Sequence, residues 1–394
     1  MPWKERTKMD EKLYFIREYE TGNFTITELA DSFGISRKTA YKYIRRFKEG
    51  GLDGLQQRST IPHTSPNKIP KSIEKQILAI RKKKKRNEYG ARKIKRILER
   101  EKKTAYPPIS TIHNVLKRHN LTHPSKPRRR IKPLKIYHEA KKPNDIWTSD
   151  YKGDFRMLDR VKCYPLTITD MYSRYIIGIK GMVSTNYKDA KLYYIAVFRE
   201  YGLPRQMLSD NGSPFAAPQA LARLTRLSAW WIQLGIKPVY IDPASPWQNG
   251  KHERMHRELK ADTTKPPAKN MHGQQIKFHY FVNEYNTYRP HEALNDDVPA
   301  DHYNKSPREY RDKIKPYEYP DTFQTYRVSK NGAVRWPGNK WLYVSTSIPG
   351  QNIGLEEIDD GLYSVWYCNV RLGYFNESKL RIEDDLGRFK RNML

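Results

Sequence analysis

The chain has 394 residues, enough for two or three domains, and its 74 Lys and Arg against 43 Asp and Glu leave a formal net charge of +31. Such a surplus calls for a polyanionic partner, while a mean hydropathy of -0.89 and the lack of any long apolar run exclude a membrane span. Cys163 and Cys368 are the only cysteines and lie far apart, so neither a disulfide framework nor a CxxC zinc half-site is available, and any metal is expected on oxygen ligands.

The charge is uneven. Residues 1–150 hold 38 basic and 16 acidic side chains, a surplus of 22, against a surplus of 9 in the remainder. The front of the chain is therefore the expected electrostatic footprint on nucleic acid. The opening MPWKERTKMDEKLY has no apolar core of a signal peptide, so the expectation is a soluble, intracellular protein.

In chain order, FTITELADSFGISRKTAYKYIRRFKEGGLDGL carries a capping box at Thr25 and Glu28, a break at Gly34 and a second helix start at Ser36. That layout predicts a helix-turn-helix domain within residues 1–60. Leu29, Ala30, Phe33, Ile35, Ala40, Ile44 and Phe47 form its core face, leaving Arg37, Lys38, Lys42, Arg45 and Arg46 for a DNA groove and its phosphates. A second helical DNA-binding domain is expected over 70–122, broken at Pro107-Pro108, with Arg92 and Lys93 as DNA contacts. Residues 123–145 are basic and Pro-broken, a linker tracking the phosphate backbone through Arg128, Arg129 and Arg130.

From Ile146 the texture becomes short β-prone runs, IWTSDYKGDF, KCYPLTITDM and SRYIIGIKGM, which predict a three-stranded meander. Helices at about 187–201 and 217–234 then alternate with strands RQMLSD and IKPVYI, and a helix opens in SPWQNGKHERMHRELK. The expectation is an α/β core over 146–310. Over 322–384, alternating runs with turns at Asn331-Gly332 and Asp360-Gly361 predict a small β-barrel of about five strands, which either binds DNA, binds another subunit or packs on the core.

Three acids hold comparable places in this layout: Asp150 on the first core strand, Asp210 at the end of a later one, and Glu253 on the helix after the last. Asp210-Asn211-Gly212 is a turn signal that leaves the Asp210 carboxylate at the sheet edge. At roughly 100° per residue, Met255 and Leu259 lie on the far side of the helix from Glu253, while His256, Arg257 and Lys260 lie beside it. The expected outer face thus carries one carboxylate and a basic strip for DNA. Glu258, near the core side, takes a structural role with Arg254 as partner. Carboxylates from separate elements suit two-metal phosphoryl transfer, with Arg and Lys beside them holding the DNA backbone.

IWTSDYKG, TDMYSRYIIG, LSDNGSPF, SPWQNGKHERMHRELK and YNTYRPHEAL, in that order over residues 145–305, resemble the DDE transposases of bacterial insertion sequences. The resemblance implies a ribonuclease-H-like fold shared with retroviral integrases, a catalytic and metal-binding triad of Asp150, Asp210 and Glu253, and two Mg²⁺ or Mn²⁺ ions per site. It also implies binding to double-stranded DNA, both the element's terminal inverted repeats and the target, self-association into a synaptic multimer, and a bacterial cytoplasmic, nucleoid-associated location. Two departures stand out. Asp210 and Glu253 are separated by 42 residues, more than the family's usual spacing, with the excess expected in PQALARLTRLSAWWIQLG. The His/Cys zinc module of retroviral integrases is replaced by helix-turn-helix units. Asp154 and Asp159 fall at a turn, Asp170 orders the TDMYSR corner, and Arg289 and His291 either contact DNA or brace the core. The alternative functions are a DNA-binding regulator derived from a transposase and a ribonuclease-H-like nuclease without strand transfer.

Overall fold

The computed structural model describes residues 7–56, 69–83, 89–102, 106–122, 139–242 and 250–383. The chain divides into Met1–Lys68 and Ile69–Leu394. In the first unit, α1 (Lys8–Glu20), α2 (Ile26–Ser32) and α3 (Arg37–Gly54) enclose Phe15, Ile16, Leu29, Ala30, Ala40 and Ile44. The Thr25/Glu28 capping box forms as expected, Glu28 Oε2 accepting from Thr25 N at 2.8 Å, and Ser36 caps α3. Gly34, at φ +62°, supplies the left-handed residue that turns the chain between the two helices.

The second unit begins with three helices, α4 (Lys71–Lys82), α5 (Ala91–Lys102) and α6 (Ile109–Arg118), around Ile77, Ile94, Leu98, Ile112 and Val115. The core follows with β1 (Ile146–Tyr151), a two-residue β2 (Phe155–Arg156), β3 (Lys162–Asp170), β4 (Ile176–Met182), α7 (Tyr187–Tyr201), β5 (Gln206–Ser209), α8 (Arg226–Gln233), β6 (Lys237–Tyr240), α9 (Gly250–Thr263) and α10 (Met271–Thr287). β4, β3 and β1 form the expected antiparallel meander, and β5 and β6 extend it from β1 as parallel strands.

Strand alternation sorts the residues onto two faces. Trp147, Leu166, Ile168 and Ile177 meet α7 and α8 through Tyr194, Phe198 and Trp231. On the other face Cys163, Ile176 and Ile179 meet α9 and α10 through Met255, Leu259, Phe278 and Phe281. Gly181 on β4 admits α10 closely, because a Cβ there would stand 2.6 Å from Met271 Sδ.

The helix expected at about 217–234 is shorter. Residues Leu221–Arg223 make a 3-10 turn with Ala222 and Arg223 at positive φ, and Thr225 caps α8 afresh. Leu221, Leu224, Ala229 and Ile232 from this segment join the core of the C-terminal region. That region holds seven strands: β7 (Gln324–Arg327), β8 (Ala333–Trp336), β9 (Lys340–Tyr343), β10 (Asn352–Asp359), β11 (Leu362–Tyr367), β12 (Val370–Asn376) and β13 (Arg381–Glu383). The expected barrel is not closed. β13-β12-β11-β10-β7 is an open antiparallel sheet, and the β8-β9 hairpin lies beside its edges, with β8 near β7 and β9 near β13, without joining the ladder. β10 was not anticipated, because NIGLEEID has Gly354 and three acids where a strand pattern normally shows β-branched residues.

Candidate active site

β1 and β5 run parallel with Ser149 opposite Ser209, so Asp150 and Asp210 are the next residues at the same end of neighbouring strands. Asp150 is on the α9 face, because Trp147 and Ser149 point to α7; Ser149 Oγ meets Tyr194 Oη at 2.5 Å. Asp210 starts a turn in which its Oδ1 accepts from Gly212 N at 3.1 Å, and Asn211 Nδ2 donates to Ile241 O at 2.8 Å. This is the sheet-edge placement expected of Asp-Asn-Gly.

Glu253 stands exposed in the first turn of α9. What fixes that helix is a polar inlay. His252, Met255, His256, Leu259 and Thr263 are its buried residues, a stripe at helical spacing in which two imidazoles replace apolar side chains. Beneath them the β1-β3 ladder presents Thr148, Thr167 and Thr169, all buried. His252 Nδ1 is 2.7 Å from Thr148 Oγ1 and its Nε2 is 2.6 Å from Thr167 Oγ1. His256 Nε2 is 2.7 Å from the same Thr167 oxygen, which donates to Asp150 O at 2.9 Å. The expected place of His256 on an outer basic strip is therefore corrected: it is 6% exposed and faces the sheet. Arg257 and Lys260 are exposed, as expected.

The electrostatics join the three acids. Burial, then the charge of Asp210 and, more weakly, that of Glu253 raise the Asp150 carboxyl to about 7, with Lys152 opposing. Burial also raises Asp210. Desolvation lowers His252 to about 3 and holds His256 far below the usual imidazole range, so both rings are neutral. Mutually opposed carboxylates at one sheet end form an oxygen donor set suited to a hard divalent cation. Among the described residues, Asp150, His252 and His256 also form a group with ligand atoms within 4.8 Å of one another.

Other acids take structural places. Asp170 accepts from Asn144 N, Ser173 N and Ser173 Oγ and orders its corner, and Asp154 pairs with Lys162 at 2.8 Å. Glu258 pairs with Arg289 at 2.6 Å, both largely buried, so the YRPHEAL segment braces α9. His291 bonds its backbone to Asp297 and packs its ring on Tyr285.

Of the remaining expected DNA contacts, Arg37, Lys38, Lys42 and Arg45 are exposed on α3 and Arg46 is half-buried. Arg92 bonds Asp296 at 2.5 Å and also faces Glu292; Arg96 and Arg100, one and two turns on, pair with Asp297 and Asp301. This face of α5 is thus docked on the core's 292–301 segment, and Lys93 is half-buried. Arg128, Arg129 and Arg130 lie outside the described residues. No described helix is long and apolar enough to cross a membrane.

Residues 140–246 and 234–299 match models of the integrase core domain, residues 11–63 a helix-turn-helix domain, and residues 39–116 a homeodomain-like domain. Among curated proteins, the chain is 28% identical over 208 residues to an uncharacterized 39.2 kDa protein of insertion element IS476 from Xanthomonas euvesicatoria, covering 51% of this chain and 50% of that one. It is 24% identical over 234 residues to the transposase for transposon Tn552 from Staphylococcus aureus, covering 54% and 48%. The chain thus spans about half the length of the curated relatives it matches. Among solved structures, the HTLV-2 integrase catalytic core in complex with magnesium overlaps 42% of this chain and 100% of that one, at 13% identity and a TM-score of 0.32. A simian T-cell lymphotropic virus intasome bound to a PP2A regulatory subunit overlaps 70% and 90%, at 12% identity and a TM-score of 0.36. The chain thus carries a region matching the integrase core domain, built on a mixed sheet and preceded by regions matching helix-turn-helix and homeodomain-like domains.

Proposed function

We propose that this chain is the DDE transposase of a bacterial mobile element, which cuts at the element's ends and transfers their 3′ strands to target DNA. The observation that carries this reading is the register of β1 and β5, which sets Asp150 beside Asp210 beneath a helix that presents Glu253. Asp150, Asp210 and Glu253 together hold two divalent ions, Mg²⁺ or Mn²⁺, whose chemistry is to activate the attacking hydroxyl and neutralise charge on the leaving oxygen.

The protein's own part is positioning. The His-Thr inlay fixes α9 on the sheet, and the buried Arg289-Glu258 pair holds the helix one turn further along. Arg257 and Lys260, exposed beyond Glu253, hold the phosphate backbone entering the site. Arg37, Lys38, Lys42, Arg45 and Arg46 on α3 read and clamp the terminal inverted repeats. The domains at 1–60 and 70–122 and the linker at 123–145 divide that recognition, the core at 146–310 does the chemistry, and the region at 322–384 packs on the core beside α8. Two ends joined to one target require two active sites, hence a synaptic multimer in the bacterial cytoplasm.

The test is cleavage of duplexes carrying the element's ends, with Mg²⁺, by the wild type and by Asp150→Asn, Asp210→Asn and Glu253→Gln. Cutting at the element boundary by the wild type and loss of roughly a hundredfold or more in each variant is the expected result. Cutting that survives any of the three substitutions would remove that residue from the triad.

A further inference from the structure

The two histidines of α9 are not equivalent, and the difference follows from one hydroxyl. Thr167 Oγ1 has one proton, which it donates to Asp150 O, so the two imidazole Nε2 atoms that approach it at 2.6 and 2.7 Å must both be donors. Each neutral ring then keeps a bare lone pair on Nδ1. For His252 that lone pair is used, because Thr148 Oγ1 stands 2.7 Å away and donates to it. Among the described residues, His256 Nδ1 faces Asp150 Oδ2 at 3.6 Å, beyond hydrogen-bond reach. Once Asp150 is ionised, an acceptor nitrogen thus faces an acceptor oxygen, an arrangement that a cation between them resolves. The gap is short enough for one cation to reach both atoms.

We infer that His256 is a nitrogen ligand of the metal held by Asp150, so that this centre has a mixed oxygen-nitrogen donor set beyond the three carboxylates. His252, although close enough to belong to the same cluster, is excluded, since both of its nitrogens are bonded within the His-Thr inlay. The inlay is what aims His256, because the hydroxyl that fixes its tautomer is held in turn by the backbone carbonyl of the metal-binding aspartate. An imidazole donor shifts a site's preference from Mg²⁺ toward Mn²⁺ and other borderline ions. This inference rests on the reading of Asp150 as a metal ligand.

The experiment is pulsed electron paramagnetic resonance on the full chain loaded with Mn²⁺ alone, with no DNA. The wild type should show modulation from a directly coordinated ¹⁴N, and growth with ¹⁵N-imidazole histidine should convert it to the ¹⁵N pattern, which requires no substitution and so no concern about folding. His256→Asn should lose the modulation and bind Mn²⁺ roughly tenfold more weakly, with a smaller loss for Mg²⁺. His252→Gln should keep the modulation. Bound Mn²⁺ without nitrogen modulation in the wild type overturns the inference and leaves the carboxylate triad standing. Mn²⁺ binding that is absent, or unchanged in Asp150→Asn, overturns the triad itself and the inference with it.

Discussion

Asp150 is buried beside two other carboxylates, and that arrangement has a measurable cost in the metal-free protein. Unfolded, its carboxyl titrates near 3.9; folded, it titrates at about 7. Below pH 4 it is protonated in both states and contributes nothing. Between pH 4 and 7 its ionisation increasingly favours the unfolded chain, and above 7 the penalty is complete. Asp150→Asn removes the penalty. In EDTA the variant should therefore melt like the wild type at pH 4 and be more stable by about 1 to 4 kcal/mol at pH 8, while Mg²⁺ should stabilise only the wild type. Melting curves across that range check it, and a gap that fails to widen with pH would mean that Asp150 carries no such strain. The places of the three acids were legible because each ends or follows a recognisable element. His256 was not, because helix geometry was anchored on Met255 and Leu259 alone. Residues 252, 255, 256, 259 and 263 form one buried stripe, and a pattern search that admits only apolar residues misses histidines seated on threonines.

α9 carries the third acid, so its footing decides whether the site exists. One anchor is the inlay on Thr148, Thr167 and Thr169; the other is Arg289, which is 7% exposed and pairs with Glu258. Removing one member of a buried pair is costly, so Arg289→Ala should destabilise the protein by about 3 kcal/mol and reduce end cleavage at temperatures well below melting. Chemical unfolding measures the first effect, and a loss under about 1 kcal/mol would mean that α9 does not depend on this brace. At this scale most elements could be read from sequence, including the meander, both caps of the front helices and the alternation after α7. The exceptions have particular causes. α8 starts late because Ala222 and Arg223 take positive φ, a tertiary requirement of packing Leu221 and Leu224 into the C-terminal core. The extra residues between Asp210 and Glu253 were expected in this segment, which serves as the platform for the C-terminal sheet. The barrel was over-read because alternation predicts strands but not whether their edges meet.

For the whole molecule, charge is the organising quantity, yet not every basic face is free for DNA. Arg92, Arg96 and Arg100 are committed to Asp296, Asp297 and Asp301, so α5 docks its module instead of tracking phosphates. On the proposed reading, α3 is then the surface that binds the element's ends. Arg45→Ala with Arg46→Ala should weaken end binding and lower the slope of log affinity against log salt by about 2, because each lost phosphate contact removes roughly 0.9 from it. Binding titrations at several salt concentrations measure the slope, and an unchanged value would move recognition to another surface.

Asp150, Asp210 and Glu253 are proposed to act together in joining DNA strands. Its most direct test is strand transfer from pre-cleaved element ends bearing a free 3′-hydroxyl into a plasmid, with Mg²⁺, by the wild type and Glu253→Gln. Joined products from the wild type alone are the predicted result. Tight end binding with no joined product from either protein would mean that the three acids do not join strands and would leave Glu253 an ordinary surface charge.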